Sequence, residues 1–221
     1  MNNNSICKIT KIEQVIKIGT KITGSWFRGH PKTYNNLTPR IFRDIYRDEN
    51  YLKLRPDYEM SAIERFKQVA PSLYSNVPGR DNDLEWLILM QHHGTPTRLL
   101  DWTENILIAL YFVVKDFAED DGEMWVLYPL ALNKIYGFWG MPLLNNAFLQ
   151  YLAKEINYRK DKKSKLAKSL EIENGIPRYP LAFYPTLNFL RMVVQSSTFT
   201  IHPIPEKGNQ IQDLLEGKKG F

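Results

Sequence analysis

The sequence has one cysteine, Cys7, only four histidines and no long hydrophobic run. A single cysteine excludes an intramolecular disulfide framework and is typical of a reducing compartment. The longest apolar stretch, residues 106–114, is too short to cross a bilayer. Residues 1–10 are polar and lack the apolar region of a secretory signal. These absences favour a soluble cytoplasmic protein without a membrane partner.

The sequence also lacks the common catalytic signatures. No GxGxxG, Walker A, GxSxG or CxxC motif is present. This excludes the usual markers of dinucleotide-binding, P-loop, serine hydrolase and dithiol redox proteins. The histidines are accompanied by no HExxH motif and no cysteine pair, so no metal site is predicted. Any site in this chain therefore has an uncommon arrangement.

The composition suits one large domain spanning residues 1–221. The chain is 43% hydrophobic and 13% aromatic, enough for a sizeable core. Helical spacing or strand-like runs mark its elements. The predicted helices cover 58–73, 81 or 83 to 91, and 106–117, and either Asp81 or Asp83 can cap the second of them. The predicted strands cover 25–30 and 123–130, and residues 191–201 are predicted to form one or two strands. This mixture predicts an α+β fold, with helices packed on a split or mixed β-sheet around a ligand cleft. The helix at 106–117 is apolar nearly all round and is expected to be buried.

The run QHHGTPTRLLDWTEN at 91–105 carries the densest polar chemistry, between two predicted buried helices. A helix connection needs only a few turn residues. Arg98 and Asp101 are three apart and can pair with each other. His92 and His93 can act as ligands or bases, although a neutral imidazole held by a hydrogen bond is the commoner fate of such residues. The run is expected to form part of a site.

Two further clusters offer binding groups. In WFRGH at 26–30, Arg28 is followed by Gly29, an arrangement that suits bidentate binding of a phosphate or carboxylate. A buried ion pair of Arg28 with an acid such as Asp101 is the structural alternative. In RMVVQSSTF at 191–199, Gln195 and its neighbours offer neutral donors and acceptors for ribose hydroxyls or an amide. An ordinary polar face of an edge strand explains the same residues.

Positive charge is concentrated in one segment. The net charge is +5, and the excess lies at residues 154–168. Its candidate nucleic-acid contacts are Lys160, Lys162, Lys163 and Lys165. Such a segment attracts phosphates, including nucleic acid backbones. A solvated helix face or a loop would have the same composition.

Together, three motifs resemble the FRG domain family, named for its Phe-Arg-Gly motif. They are WFRGH at 26–30, QHHGTPTRLLDWTENILIALYF at 91–112 and RMVVQSSTF at 191–199. The resemblance covers about residues 20–205. The family usually has a glycine soon after the glutamine of the third motif, where this chain has Ser196 and Ser197.

The resemblance also implies an activity, because the motif layout looks like that of ADP-ribosyltransferases. Arg28 would then hold the pyrophosphate or ribose of NAD, and Gln195 would stand where these enzymes commonly carry glutamate. Since a neutral amide stabilises developing positive charge poorly, Asp101 would supply the anion. The catalytic candidates are thus Arg28, Asp101 and Gln195. The candidate NAD contacts are Phe27, Arg28, Gly29, His92, His93, Thr97, Arg98, Trp102 and Ser196.

The implied function is NAD-dependent ADP-ribosyl transfer to a macromolecule, such as RNA or DNA, in a bacterial or phage defence or toxin context. A protein antitoxin is an expected partner in that context. One alternative is a non-catalytic module that binds nucleic acid or a phosphorylated ligand. Another is a metal-dependent nuclease or hydrolase that uses His92, His93 and Asp101.

Overall fold

The structure is a computed structural model that describes residues 7–34, 37–43, 56–116, 119–158 and 179–203. Its α-helices are α1 (Ile12–Gly19), α2 (Pro56–Leu73), α3 (Asp83–His92), α4 (Ile106–Val114), α5 (Pro129–Asn133), α6 (Ala147–Tyr158) and α7 (Leu190–Val194). Its strands are β1 (Trp26–His30), β2 (Leu99–Thr103), β3 (Glu123–Leu127), β4 (Leu181–Phe183) and β5 (Ser197–Ile201). Short 3-10 helices cover Arg40–Phe42 and Lys134–Tyr136. In these ranges no helix has the length and hydrophobicity that a membrane span requires.

The five strands form one antiparallel sheet in the order β3-β1-β2-β5-β4. This confirms the predicted α+β class, with helices packed on a sheet. β1 pairs with β3, and β2 with β5, along their whole lengths. Between β1 and β2, however, the register holds a single pair, Phe27 with Thr103. The junction between β1 and β2 is therefore the least paired in the sheet.

The two faces of the sheet bury different clusters, because successive strand residues point to opposite sides. On one face, Leu99 and Ile201 pack with buried residues of α3 and α6, such as Leu87 and Leu149. On the other face, Trp26, Leu100 and Trp102 belong to a smaller cluster with Leu132 of α5. Both faces of β2 are thus covered along most of its length.

The predicted helix connection at 91–105 contains a strand instead, β2. Leu99 and Leu100 are both buried, on opposite faces of the sheet. A strand covered on both sides has a short continuous apolar run, which periodicity cannot separate from part of a buried helix. Residues 99–103 of the run therefore belong to the sheet and not to a loop between helices.

The predicted strand at 191–201 is wrong in its first half. Residues Leu190–Val194 form α7, and only Ser197–Ile201 form a strand. Ser196 separates the two with a left-handed backbone, φ +46°. The two valines of α7 favour a strand by propensity. In the structure they form a one-turn helix, and the chain changes direction after it to enter β5.

The expectation that the helix at 106–117 is buried is also wrong. The helix ends at Val114, and Ala109 is its one buried residue. Leu107 and Tyr111 are 47% and 59% exposed. A helix whose outer face is as apolar as its inner face gives no periodic signal of which side packs on the sheet. At the start of α3, Asn82 caps the helix, rather than Asp81 or Asp83.

Candidate functional site

Arg28 on β1 lies at the poorly paired junction and bridges it with its side chain. Its Nη1 donates to the backbone oxygen of Asp101 on β2 at 2.7 Å and lies 3.8 Å from Asp101 Oδ2. The side chain is 16% exposed. Burial lowers the pKa of Arg28, the Asp101 carboxylate raises it, and the nearby positive charge of Arg43 lowers it further. The structural alternative for Arg28, an ion pair with Asp101, is present, and the Arg28 side chain is mostly buried at the sheet junction with a small part open to solvent.

His30 and Glu123 extend this contact to β3. Arg28 Nε donates to His30 Nε2 at 2.8 Å, and His30 Nδ1 lies 2.8 Å from Glu123 Oε1. The backbone N–H of Tyr34 donates to the same carboxylate oxygen at 3.2 Å. Desolvation by burial and the charge of Arg28 lower the pKa of His30, although the carboxylate of Glu123 opposes them. His30 is therefore a neutral imidazole at pH 7.

Asp101 is fixed from the other side by α3. Its side chain is 53% exposed, and its Oδ2 accepts a hydrogen bond from Gln91 Nε2 at 2.7 Å. Thr97 Oγ1 in turn donates to Gln91 Oε1 at 2.6 Å and accepts from the backbone N–H of Leu99. Thr97 is buried. Asp101 thus combines solvent access with a side chain held by two successive hydrogen bonds.

Arg98, a predicted NAD contact, lies inside the core. Its Nε is 2.9 Å from Glu59 Oε2 on α2, and it also bonds the backbone oxygen of Ala153 on α6. The side chains of Arg98 and Glu59 are 0% and 4% exposed. The expected pairing of Arg98 with Asp101 is therefore wrong. Arg98 ties β2 to two helices.

Trp102 and Phe27 are also buried in the sheet. Trp102 Nε1 donates to Thr200 Oγ1 on β5 at 3.0 Å. Phe27 is 3% exposed and pairs with Thr103 across the β1–β2 junction. Phe27 precedes Arg28 on β1, and Trp102 follows Asp101 on β2. Their side chains support the site from within the sheet.

The two histidines of the long motif lie at its helical end. His92 stacks on Phe189 with ring centroids 4.1 Å apart, and His93 Nδ1 is 3.1 Å from the Tyr74 hydroxyl. Burial and the neighbouring charges lower the pKa of His92. Among the described residues, no three His, Cys, Asp or Glu side chains are grouped as a metal site requires. The grouping proposed for a metal-dependent hydrolase therefore has no counterpart in this part of the chain.

Gln195 and Ser196 follow α7 and adjoin the far end of β2. Thr103 Oγ1 donates to the backbone oxygen of Gln195 at 2.7 Å, and the Glu104 N–H donates to that of Ser196 at 3.3 Å. Gln195 Oε1 accepts a hydrogen bond from Arg191 Nε at 3.4 Å. The left-handed backbone of Ser196 is the conformation that a glycine adopts without cost. The family that the three motifs resemble usually has a glycine soon after this glutamine.

Several site residues were not predicted. Gln91 and His30 lie in the quoted motifs, and their hydrogen-bonding side chains are the only signal for them in the sequence. Glu123 is remote in sequence from both. Glu104 was also not predicted: its backbone N–H donates to Ser196, and its carboxylate accepts a hydrogen bond from the Tyr184 hydroxyl at 2.6 Å. The predicted lysines at 160–165 lie outside the described residues.

His202 gives a pH-dependent stability that can be measured. It is buried between the charges of Arg28 and Arg98, and desolvation with these charges lowers its pKa to about 3. An unfolded histidine takes up a proton near pH 6.5. The folded state is therefore destabilised as the pH falls from 6.5 towards 3. At about 1.4 kcal/mol per pH unit, the free energy of unfolding drops by about 2 kcal/mol between pH 6.5 and pH 5 from this residue alone.

Urea denaturation at these two pH values checks the effect. We expect His202→Gln to have a lower free energy of unfolding at pH 7 but a shallower dependence on pH. Parallel pH profiles for the two proteins would show that another group is responsible.

Comparison with known proteins gives one family. The family model described as the FRG domain matches residues 23–122. This range carries β1, β2 and the contact of Arg28 with Asp101, and it ends just before β3. No curated protein and no solved structure matches the chain.

Proposed function

The chain carries a domain of the FRG family, and on that premise we propose that it is an NAD-dependent ADP-ribosyltransferase. The observation that carries the proposal is the contact between Arg28 and Asp101. A guanidinium and a half-exposed carboxylate lie 3.8 Å apart where β1 and β2 are least paired. Two groups of opposite charge at one place suit a substrate that has both a fixed negative charge and a developing positive one.

The cationic side of the site suits the pyrophosphate of NAD. Arg28 offers a planar set of donors that matches phosphate oxygens. Arg43 lies close enough to lower the pKa of Arg28. A pyrophosphate that binds here would screen the two positive charges from each other. Its binding is therefore favoured by both guanidiniums.

The anionic side suits the reacting ribose. In ADP-ribosyl transfer, the bond between the anomeric carbon and the nicotinamide nitrogen breaks, and its electron pair leaves with nicotinamide. The ribose then carries positive charge until the acceptor nucleophile attacks the same carbon and loses its proton. The carboxylate of Asp101, held by Gln91, stabilises this charge. Gln195, whose backbone oxygen accepts from Thr103 at the end of β2, orients the ribose without supplying charge.

The acceptor that fits the composition is a nucleic acid. Residues 154–168 carry most of the basic excess, and such a segment binds phosphate backbones. We propose a cytoplasmic enzyme that modifies RNA or DNA in a defence or toxin setting, restrained by an antitoxin protein. These features rest on the sequence and on the family resemblance.

Arg28→Lys tests the proposal. Lysine keeps the charge but loses the planar donors, and we expect kcat/KM for nicotinamide release to fall about 100-fold or more. Asp101→Asn should lower kcat by a similar factor with little change in KM. The matched control is Arg80→Lys, an exposed arginine outside the network. The assay measures released nicotinamide, and NAD labelled in its adenylate portion reports transfer to RNA, DNA or cell lysate. Thermal melting confirms folding.

The wild-type protein decides between the candidate functions. Folded protein that releases no nicotinamide and transfers no label overturns the transferase. If that protein still binds NAD with an affinity that falls steeply with salt, the binding-module alternative is supported instead.

A further inference from the structure

We propose that His30 and Glu123 are positioning residues that orient the guanidinium of Arg28 for its anionic ligand, and that protonation of His30 releases it. The inference rests on the proposed function, because it assumes that Arg28 holds a phosphate. It concerns residues on β1 and β3 that neither the motif resemblance nor the predicted site assigns to any role.

The hydrogen bonds among the three residues permit only one arrangement of protons. The guanidinium has donors and no acceptor. Since Arg28 Nε is 2.8 Å from His30 Nε2, that imidazole nitrogen must carry the accepting lone pair. The proton of neutral His30 is therefore on Nδ1, from which it is donated to Glu123 Oε1 at 2.8 Å. The bonds run in one direction, from Arg28 through His30 to Glu123.

This arrangement fixes the guanidinium plane at two points. Nε is bonded to His30, and Nη1 is bonded to the backbone oxygen of Asp101. The two anchors lie on different nitrogens, so they restrain both the tilt and the rotation of the group. Nη2 takes part in neither bond. A long side chain held this way loses less conformational entropy when a ligand binds.

Glu123 is itself held in place. Its Oε1 also accepts the backbone N–H of Tyr34 at 3.2 Å, and its side chain is 15% exposed. The ring of Tyr34 packs against His30 edge-on, with centroids 5.4 Å apart. The imidazole therefore has little room to rotate away from Arg28 while Glu123 stays in position.

Protonation of His30 breaks the arrangement. The charged groups that face the imidazole are Arg28 on its own strand, Glu123 on β3, and Arg43 after the first 3-10 helix. An imidazolium has no lone pair to accept the Arg28 proton. It also places a second positive charge next to the guanidinium. Acidification should therefore free Arg28 Nε and weaken ligand binding.

The first experiment follows Arg28 directly by nuclear magnetic resonance of the full chain. We expect the Arg28 Nε–H proton to exchange slowly with water in the wild-type protein and in His30→Gln, whose amide oxygen can accept the same bond. In His30→Leu the exchange should be at least about 10-fold faster. Lys32→Gln, which alters an exposed side chain two residues after His30, is the matched control and should leave the exchange at the wild-type rate. Equal exchange in the wild type and His30→Leu overturns the proposal.

The second experiment follows NAD affinity between pH 5 and pH 8. The wild type should lose affinity on acidification, and His30→Gln should lose less, because its side chain does not titrate. Glu123→Gln keeps an acceptor but removes the negative charge that raises the pKa of His30. Its loss of affinity should therefore occur at lower pH than in the wild type. Identical pH profiles for all three proteins contradict the positioning role.

The two experiments separate the two proposals. If the protein binds no NAD at any pH, the proposed transferase fails. The exchange of the Arg28 Nε–H proton still decides whether His30 and Glu123 position the guanidinium.

Discussion

Replacing Arg98 with methionine should lower the free energy of unfolding by about 3–5 kcal/mol. The change leaves the carboxylate of Glu59 on α2 without its cation, and the Glu59 side chain is only 4% exposed. Glu59 also accepts the backbone N–H of Arg98 at 3.1 Å. Desolvation already raises the pKa of Glu59, and Arg98 is the group that opposes this. The variant therefore either buries an unpaired charge or protonates Glu59 at neutral pH.

Urea denaturation measures the effect, and two further variants interpret it. The control Glu64→Gln alters an exposed acid on α2, the helix that carries Glu59. We expect it to change the free energy of unfolding by less than about 1 kcal/mol. The double variant Glu59→Leu/Arg98→Met removes both charges and should recover much of the loss. A single Arg98→Met variant within 1 kcal/mol of the wild type would refute the buried ion pair as a main support of the core.

Gly29→Ala should destabilise the protein by about 3 kcal/mol or more, because it overpacks the contact of β1 with α4. A Cβ at this position would lie 2.0 Å from the backbone oxygen of Ala109 and 2.9 Å from Val113 Cγ2. A backbone oxygen cannot move aside as a side chain can, so the strand and the helix must separate. This close approach explains why glycine follows Arg28 in the Phe-Arg-Gly motif.

The displacement should also reach the site, because Gly29 is bonded to Arg28. Thermal melting and nicotinamide release are measured on the same preparation. Gly79→Ala is the matched control, since a Cβ there meets no atom within 4 Å. If Gly29→Ala melts at the same temperature as this control, the close packing of β1 on α4 is not what requires glycine.

The sequence predicted the contact between Arg28 and Asp101 as one of two possible roles for Arg28. The predicted pairing of Arg98 with Asp101 was wrong, for a reason that lies in the secondary structure. Residues three apart lie on one face of a helix. Asp101 belongs to strand β2, however, and Arg98 lies in the bend that precedes the strand. Arg98 bonds Glu59 and Ala153 in the core, so its guanidinium does not reach Asp101. The error in the element type produced the error in the partner.

The site residues that the sequence did not predict were missed for a different reason. His30 and Glu123 are 93 positions apart, and no local pattern shows that β1 and β3 are neighbours. Gln91 lies ten positions from Asp101, at the end of a helix that the sequence did predict. Local patterns locate residues with suitable chemistry. Which of them meet depends on strand order, which this sequence does not reveal.

The strand order also bears on how this region can be inherited and recombined. The matched range, 23–122, supplies β1 and β2, two of the three inner strands of the sheet. On one side β1 is covered by β3, and on the other β2 is covered only by β5, about a hundred residues later in the chain. Alone, the matched range would leave β1 and β2 each with an open edge, because β3 and β5 both lie outside it, and open edges invite aggregation. A protein that shares only this range must bring its own strands to close these edges, and the strand beside β2 then adjoins Asp101.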